Sequence, residues 1–125
     1  MALHNELGKF GEEKAAELLL SEGYIIKSQN YRFGRGELDI VAESDDFLVV
    51  VEVKTRKLGC YVSPMDKINQ AKVRNIVYAT QAYINRYRIT KEVRFDIVVV
   101  IVDMEKGRVC KIDWLKDAFL PPVNM

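Results

Sequence analysis

Phe47-Leu48-Val49-Val50-Val51-Glu52-Val53-Lys54-Thr55 reads as a β-strand with two charges set into its apolar run. Alternation puts Val49, Val51 and Val53 on one face and Val50, Glu52 and Lys54 on the other. Glu52 and Lys54 therefore point the same way, roughly 7 Å apart along the strand. Just upstream, Glu37 to Glu43 alternates as well, with Glu37, Asp39 and Val41 opposite Leu38, Ile40 and Ala42. An Asp45-Asp46 turn would join the two strands into a hairpin and set Asp39 beside Glu52. Carboxylates that close repel strongly at low effective dielectric unless a cation lies between them. A hard divalent ion, Mg²⁺ or Mn²⁺, is the usual partner of such an oxygen-only pair. The same spacing on an exposed edge strand would be only a solvated charge ladder.

Working outward, Asn5 to Glu22 is a helix, with Leu7, Phe10, Leu18 and Leu19 as its apolar stripe and Gly23 as its stop. Glu12 shares a face with Ala15, Ala16 and Leu19 and leans inward, whereas Glu13 keeps company with Lys9 and Glu17. Tyr24 to Tyr31 is a first strand, and Phe33-Gly34-Arg35-Gly36 a turn. Asp66 to Arg88, free of Pro and Gly, is a second helix. Its tyrosines, Tyr78, Tyr83 and Tyr87, read more readily as packing residues than as base-stacking platforms. Arg94 to Asp103 is aliphatic enough for a central strand, with Asp96 in a structural pairing with a nearby Arg. A turn at Glu105-Lys106-Gly107 leads to a strand at Val109–Ile112. Asp113 could cap a last helical turn, Trp114 to Leu120, which Pro121-Pro122 ends. The order α-β-β-β-α-β-β implies an α/β fold, a mixed central sheet flanked by helices. At 125 residues the chain has the size of one domain, 1–125, with a short tail over 121–125.

With 49% apolar and 30% charged residues, the composition excludes a disordered tail, a fibre and a disulfide scaffold. Cys60 and Cys110 read as two free buried thiols in a reducing cytosol. With His4 the only histidine, no Cys/His zinc set can be assembled. The polar N-terminus and the absence of a long apolar run predict a soluble, cytoplasmic protein without membrane spans.

The formal net charge is +1 but is unevenly spread. Residues 1–53 hold 5 basic and 11 acidic side chains, a net of −6, and residues 54–94 hold 10 basic and 2 acidic, a net of +8. Such segregation points to a polyanion-binding face, unless the segments interleave and neutralise each other in space. Gly34-x-Gly36 lacks the third glycine and following helix of a dinucleotide fingerprint, and no Walker loop or Gly-x-Ser-x-Gly elbow is present.

Gly8-x-x-Gly11-Glu12, Asn30-Tyr31-Arg32, Gly36-Glu37-Leu38-Asp39-Ile40-Val41, Val51-Glu52-Val53-Lys54-Thr55-Arg56 and Arg94-Phe95-Asp96-Ile97-Val98, in this order and spacing, resemble the YraN-like family of small bacterial proteins. That family looks like a branch of the PD-(D/E)xK nuclease superfamily and is similar to archaeal Holliday-junction resolvases. The resemblance implies a restriction-endonuclease-like αβββαβ core. It also implies a catalytic set of Glu12, Asp39, Glu52 and Lys54. Asp39 and Glu52, with the Val53 carbonyl, would bind Mg²⁺ or Mn²⁺; Lys54 would orient or deprotonate the attacking water; Glu12 would assist from the first helix. Arg32, Arg35, Arg56 and Lys72 are the expected phosphate contacts, with Gln70 as the alternative to Lys72 for an auxiliary polar position. Leu38 stands where the superfamily has its proline. The implied partner is DNA, branched or junction-shaped, and cutting two strands would favour a homodimer. Two other readings stay open: a catalytically silent nucleic-acid-binding module, and a scaffold protein with no nucleic-acid role.

Overall fold

The computed structural model describes residues 2–59 and 70–119, with the side chains of residues 2–5 excepted. Helix α1 (Ala2–Ser21) leads into β1 (Ile25–Phe33), β2 (Gly36–Glu43) and β3 (Phe47–Lys57). Helix α2 (Gln70–Tyr87), β4 (Glu92–Asp103) and β5 (Arg108–Leu115) follow. The five strands form one sheet in the order β1-β2-β3-β4-β5. All neighbours are antiparallel except β3 and β4, which run parallel and are joined through α2. The αβββαβ order expected of a nuclease-like α/β core is present, with β5 added at the edge. No helix of the described residues is long and apolar enough to cross a membrane.

The two sheet faces bury two separate cores. Ile40, Ala42, Val49, Val51, Val98 and Val100 pack under Ala15, Ala16 and Leu19 of α1. Leu38, Val41, Leu48, Val50 and Phe95 pack under Val73, Ile76, Val77, Ala79 and Tyr83 of α2. A strand covered on both faces must be apolar at successive positions, which is why β3 and β4 read as near-continuous Val and Ile runs.

Two glycines set how closely the helices approach. A Cβ on Gly11 would overlap the Thr55 side chain, and one on Gly36 would overlap the backbone oxygen of Asn75. Hydrogen at these positions lets α1 seat on the end of β3 and α2 on the start of β2. Both contacts flank the same end of the β2–β3 pair.

The structure departs from the sequence reading at four points. The strict alternation expected for β2 fails: Leu38 lies with Val41 under α2, while Ile40 lies under α1. On β1 the residue opposite this break is Asn30, whose φ of 55° is left-handed and turns the chain by one face. The expected helical turn from Trp114 is instead strand as far as Leu115, followed by a turn at Lys116-Asp117. Buried Asp96 captures this segment, accepting hydrogen bonds from Trp114 Nε1 (2.9 Å) and from the Asp117 backbone N–H (2.9 Å). That long-range pairing outweighs the local capping signal of Asp113, which sits in β5 opposite Val99. Cys110 is free but exposed, contrary to the buried thiol expected, because it lies on edge strand β5; Cys60 lies outside the described residues. Of the tyrosines on α2, Tyr83 packs in the core while Tyr78 and Tyr87 are exposed. The part of the expected second helix before Gln70 also lies outside the described residues.

The expected structural pairing of Asp96 is present. Asp96 is fully buried and receives Arg94 through Nε (2.9 Å) and Nη2 (2.8 Å), so its carboxylate accepts four hydrogen bonds. These contacts push the Arg94 guanidinium further above its ordinary pKa, the bond to Asp96 being the largest cause.

Candidate active site

The β2–β3 ladder pairs Glu43 with Leu48, Ala42 with Val49, Val41 with Val50 and Ile40 with Val51, and stops there. The next pair in that register is Asp39 and Glu52. Instead of a backbone carbonyl, the Asp39 carboxylate closes the ladder, Oδ2 accepting the Val53 N–H at 2.9 Å. Beyond this point β2 stays with β1 and β3 stays with β4, so a fork opens between the strands. A cavity of about 430 Å³ occupies it, lined by Arg35, Gly36, Glu37, Asp39, Glu52, Lys72, Asn75 and Ile76.

Glu52 is buried, and its Oε1 lies 2.8 Å from Lys72 Nζ. Of the two early α2 residues considered, Lys72 reaches the site, through this contact with Glu52 and as part of the cavity lining, which does not include Gln70. Asp39 is held up at a pKa of about 7. Burial is the main cause, followed by the negative charge of Glu52; the Val53 N–H works the other way, and Glu12 and Glu37 add smaller repulsions. Glu12 is likewise raised, first by burial, with Glu37 and Glu52 adding to it and the Asn30 amide opposing. With its NH₂ group turned inward, Asn30 donates to both Glu12 Oε1 and Glu37 Oε2 at 3.2 Å. Four carboxylates are thus arranged around one opening, two of them tied together by an asparagine.

Lys54 lies two residues beyond Glu52 on the same strand and is only 6% exposed. Burial pushes its ammonium below the ordinary lysine range, and Lys72 adds to this. Glu52 pulls the other way, Arg56 lowers it further, and Asp39 raises it weakly. Lys54 forms no ion pair among the described residues. A lysine so placed gives up its proton more readily than a solvated one.

The arginines divide. Arg35 lines the cavity. Arg32 is highly exposed and lies 3.6 Å from Glu37. Arg56 donates to the carbonyl of Thr55 at 2.8 Å and so is turned back onto its own strand. Sequence reasoning missed Asn30, Glu37 and Asn75. Asn30 carried a signal, since Asn is the non-glycine residue most at ease in the left-handed region; Asn75 carried none, because only the seating of α2 brings it to the cavity.

A second cavity of about 460 Å³, between α1 and the β4–β5 turn, has a mixed lining, Phe10, Leu18, Val109 and Ile112 beside Lys14, Glu17 and Arg108, and shares no residue with the cavity of Asp39 and Glu52.

The sequence comparisons agree with this layout in extent. Residues 11–100, which run from the glycine at the α1–β3 contact to the middle of β4, match the model of the family described as "Uncharacterised protein family UPF0102". A UPF0102 protein of Phocaeicola vulgatus is 42% identical over 123 residues, covering 98% of this chain and 99% of the relative. One from Bacteroides thetaiotaomicron is 45% identical with the same coverage. One from Flavobacterium psychrophilum is 40% identical over 119 residues, covering 95% of this chain and 98% of the relative. Identity of this level across both helices and all five strands makes the chain a member of the UPF0102 family.

Proposed function

We propose that the protein is a metal-dependent endonuclease that hydrolyses phosphodiester bonds of DNA, selective for branched or junction structures and acting in the bacterial cytoplasm. The observation that carries this reading is the strand fork. Asp39 and Glu52 line one cavity in mutual repulsion, and a buried lysine follows on the same strand.

The donor set suits Mg²⁺ or Mn²⁺. Mg²⁺ takes one or two carboxylates and keeps several waters. Strand geometry turns the Val53 carbonyl to the same edge as the N–H that Asp39 accepts, which supplies a third oxygen. Among the described residues no three His, Cys, Asp or Glu side chains form a metal-holding group, so a metal here would depend on backbone oxygen and water. When bound, the ion supplies charge neutralisation at the scissile phosphate and eases deprotonation of water.

The chain's own residues supply the rest. Lys54, whose burial lowers the cost of releasing its proton, would orient the attacking water or take a proton from it as the water oxygen bonds to phosphorus. Its ammonium would face the charge on the pentacovalent phosphorus, and the opposite P–O bond would then break, the leaving oxygen keeping the electron pair and taking up a proton from water. Glu12 and Glu37, tied by Asn30, keep the opening negative and hold its waters. Lys72 holds Glu52 in position, and Arg35, with Arg32 and Arg56 nearby, meets the flanking phosphates. A homodimer would let paired strands be cut. A second reading, a silent binding module, draws support from Lys72 itself, a cation of the chain's own on one of the two carboxylates.

The test is incubation with single-stranded, duplex, flap and four-way-junction DNA, in Mg²⁺, Mn²⁺ or chelator. Cutting should need the metal, favour the branched forms, and vanish in Asp39→Asn, Glu52→Gln and Lys54→Ala. Salt-sensitive binding without cutting would support the silent module. Cutting that survives Glu52→Gln would overturn the site.

A further inference from the structure

The β1–β2 hairpin ends in an aromatic side chain that the fold does not use. Phe33, the last residue of β1, pairs with Gly36 across the two-residue turn Gly34-Arg35. Its side chain is 52% exposed and makes no ring contact with any described residue. The positive φ of Gly34 allows a turn this short, so the ring is carried on a stiff support. Its pairing partner Gly36 and the next-but-one residue Arg35 both line the cavity of Asp39 and Glu52. Arg32, on the other side, has a side chain 78% exposed. A large apolar group between two arginines, one residue pair from a carboxylate cavity, is badly placed for a core and well placed for nucleic acid. Arg32, 3.6 Å from Glu37, and Arg35, at the cavity, put positive charge on both sides of the ring, which offers a flat, exposed apolar face between them.

We propose that Phe33 is a base-stacking contact of the site, taking an unpaired nucleobase at the branch point of the DNA. The proposal rests on the nuclease reading above and adds what that reading lacks, a residue that distinguishes branched from linear DNA. In continuous duplex every base is already stacked on two neighbours, and displacing one costs free energy. At a branch that cost is small, so the aromatic contact favours branched over linear substrate. Stacking of one base on an aromatic ring corresponds to roughly 5-fold to 150-fold in affinity.

The test uses a flapped junction, whose branch nucleotide is unpaired, and a linear duplex of the same sequence, each with 2-aminopurine at the branch nucleotide or its linear equivalent. Affinity and fluorescence are read in Ca²⁺, and cutting separately in Mg²⁺. Wild type and Phe33→Trp should quench the junction probe on binding and prefer junction over duplex. Phe33→Ala should leave the probe bright and reduce the junction-to-duplex affinity ratio at least 5-fold, with an unchanged melting temperature. An unchanged ratio in Phe33→Ala, an equal loss on both DNAs, or no binding of either DNA by wild type overturns the proposal. The two readings fail separately. Quenching without cutting by wild type removes the nuclease and keeps the base contact; cutting with an unchanged ratio in Phe33→Ala does the reverse.

Discussion

Asp39 is the residue on which pH and metal should converge. Its carboxyl is raised from the ordinary range to about 7, so the folded protein binds this proton more tightly than the unfolded chain does. The resulting stability is complete below the unfolded pKa near 4 and is lost as pH rises through about 7. In chelator, wild type should therefore lose stability relative to Asp39→Asn between pH 5 and pH 7.5 or so, and the two should run parallel above that. Mg²⁺ bound as proposed would compete with the same proton, so the stabilisation it confers should grow with pH through this window and be absent from the variant. Thermal denaturation across pH, with and without Mg²⁺, checks both; curves parallel throughout would refute the shift. Lys54 gives a second prediction. Its charge is buried without an ion pair among the described residues, so Lys54→Met should melt at or above the wild-type temperature. Cutting should nonetheless fall by about 100-fold or more, the usual scale for losing a positioned proton carrier. A variant that loses stability and activity together would make Lys54 a structural residue.

At the scale of elements, the site depends on two helices pressed against the ends of two strands. Gly11→Ala would push α1 off β3 through the Thr55 side chain, and Gly36→Ala would push α2 off β2 through the Asn75 carbonyl. Each should cost about 1–3 kcal/mol, the usual range for forced overpacking. The obstacles differ, so the rescues should too. Thr55→Gly removes the atoms that stand in the way of the methyl added by Gly11→Ala and should recover much of the loss. No side-chain change moves a backbone oxygen, so Gly36→Ala should resist rescue by Ala79→Gly. Urea denaturation of single and double variants measures this; equal rescue at both positions would contradict the contacts. The strands themselves were legible in the sequence because β-branched runs and period-two alternation are local. The fork was not legible. Alternation puts Leu38 on the face opposite Val41, but the two lie under α2 together, with a left-handed Asn30 opposite the break on the neighbouring strand, and no local signal in β2 announces it.

For the whole molecule, the far side of the sheet is locked by Asp96. It joins the start of β4 to Trp114 near the end of β5 and to Asp117 in the turn after it, and, through Arg94, to Tyr24 just before β1, whose hydroxyl accepts from Arg94 Nη2 at 2.9 Å. Asp96→Ala would leave the largely buried Arg94 guanidinium uncompensated and should cost about 3–5 kcal/mol, read as a lower urea midpoint. A loss below 1 kcal/mol or so would show that the network is redundant. The net charge of +1 is also a whole-molecule quantity that conceals its parts. The acidic N-terminal segment supplies Glu37, Asp39 and Glu52 to one opening, with Glu12 beside them on Asn30, and the basic segment begins at Lys54 and includes Lys72. The segments do interleave at the site, Lys72 pairing with Glu52, so part of the segregation is neutralised there.

What the sequence determined by itself was the order of elements, the apolar faces and the charges that contradict them. These follow from periodicities of two and 3.6 residues, which are properties of neighbouring residues. It also carried enough ordered motif to indicate the family. Only the tertiary structure decided that the strands part beyond the Ile40–Val51 pair, that Lys72 meets Glu52, and that the chain after Asp113 extends β5. Each of these depends on groups far apart in sequence, a carboxylate replacing a carbonyl or a buried aspartate capturing an indole, whose energies outweigh the local preferences visible along the chain.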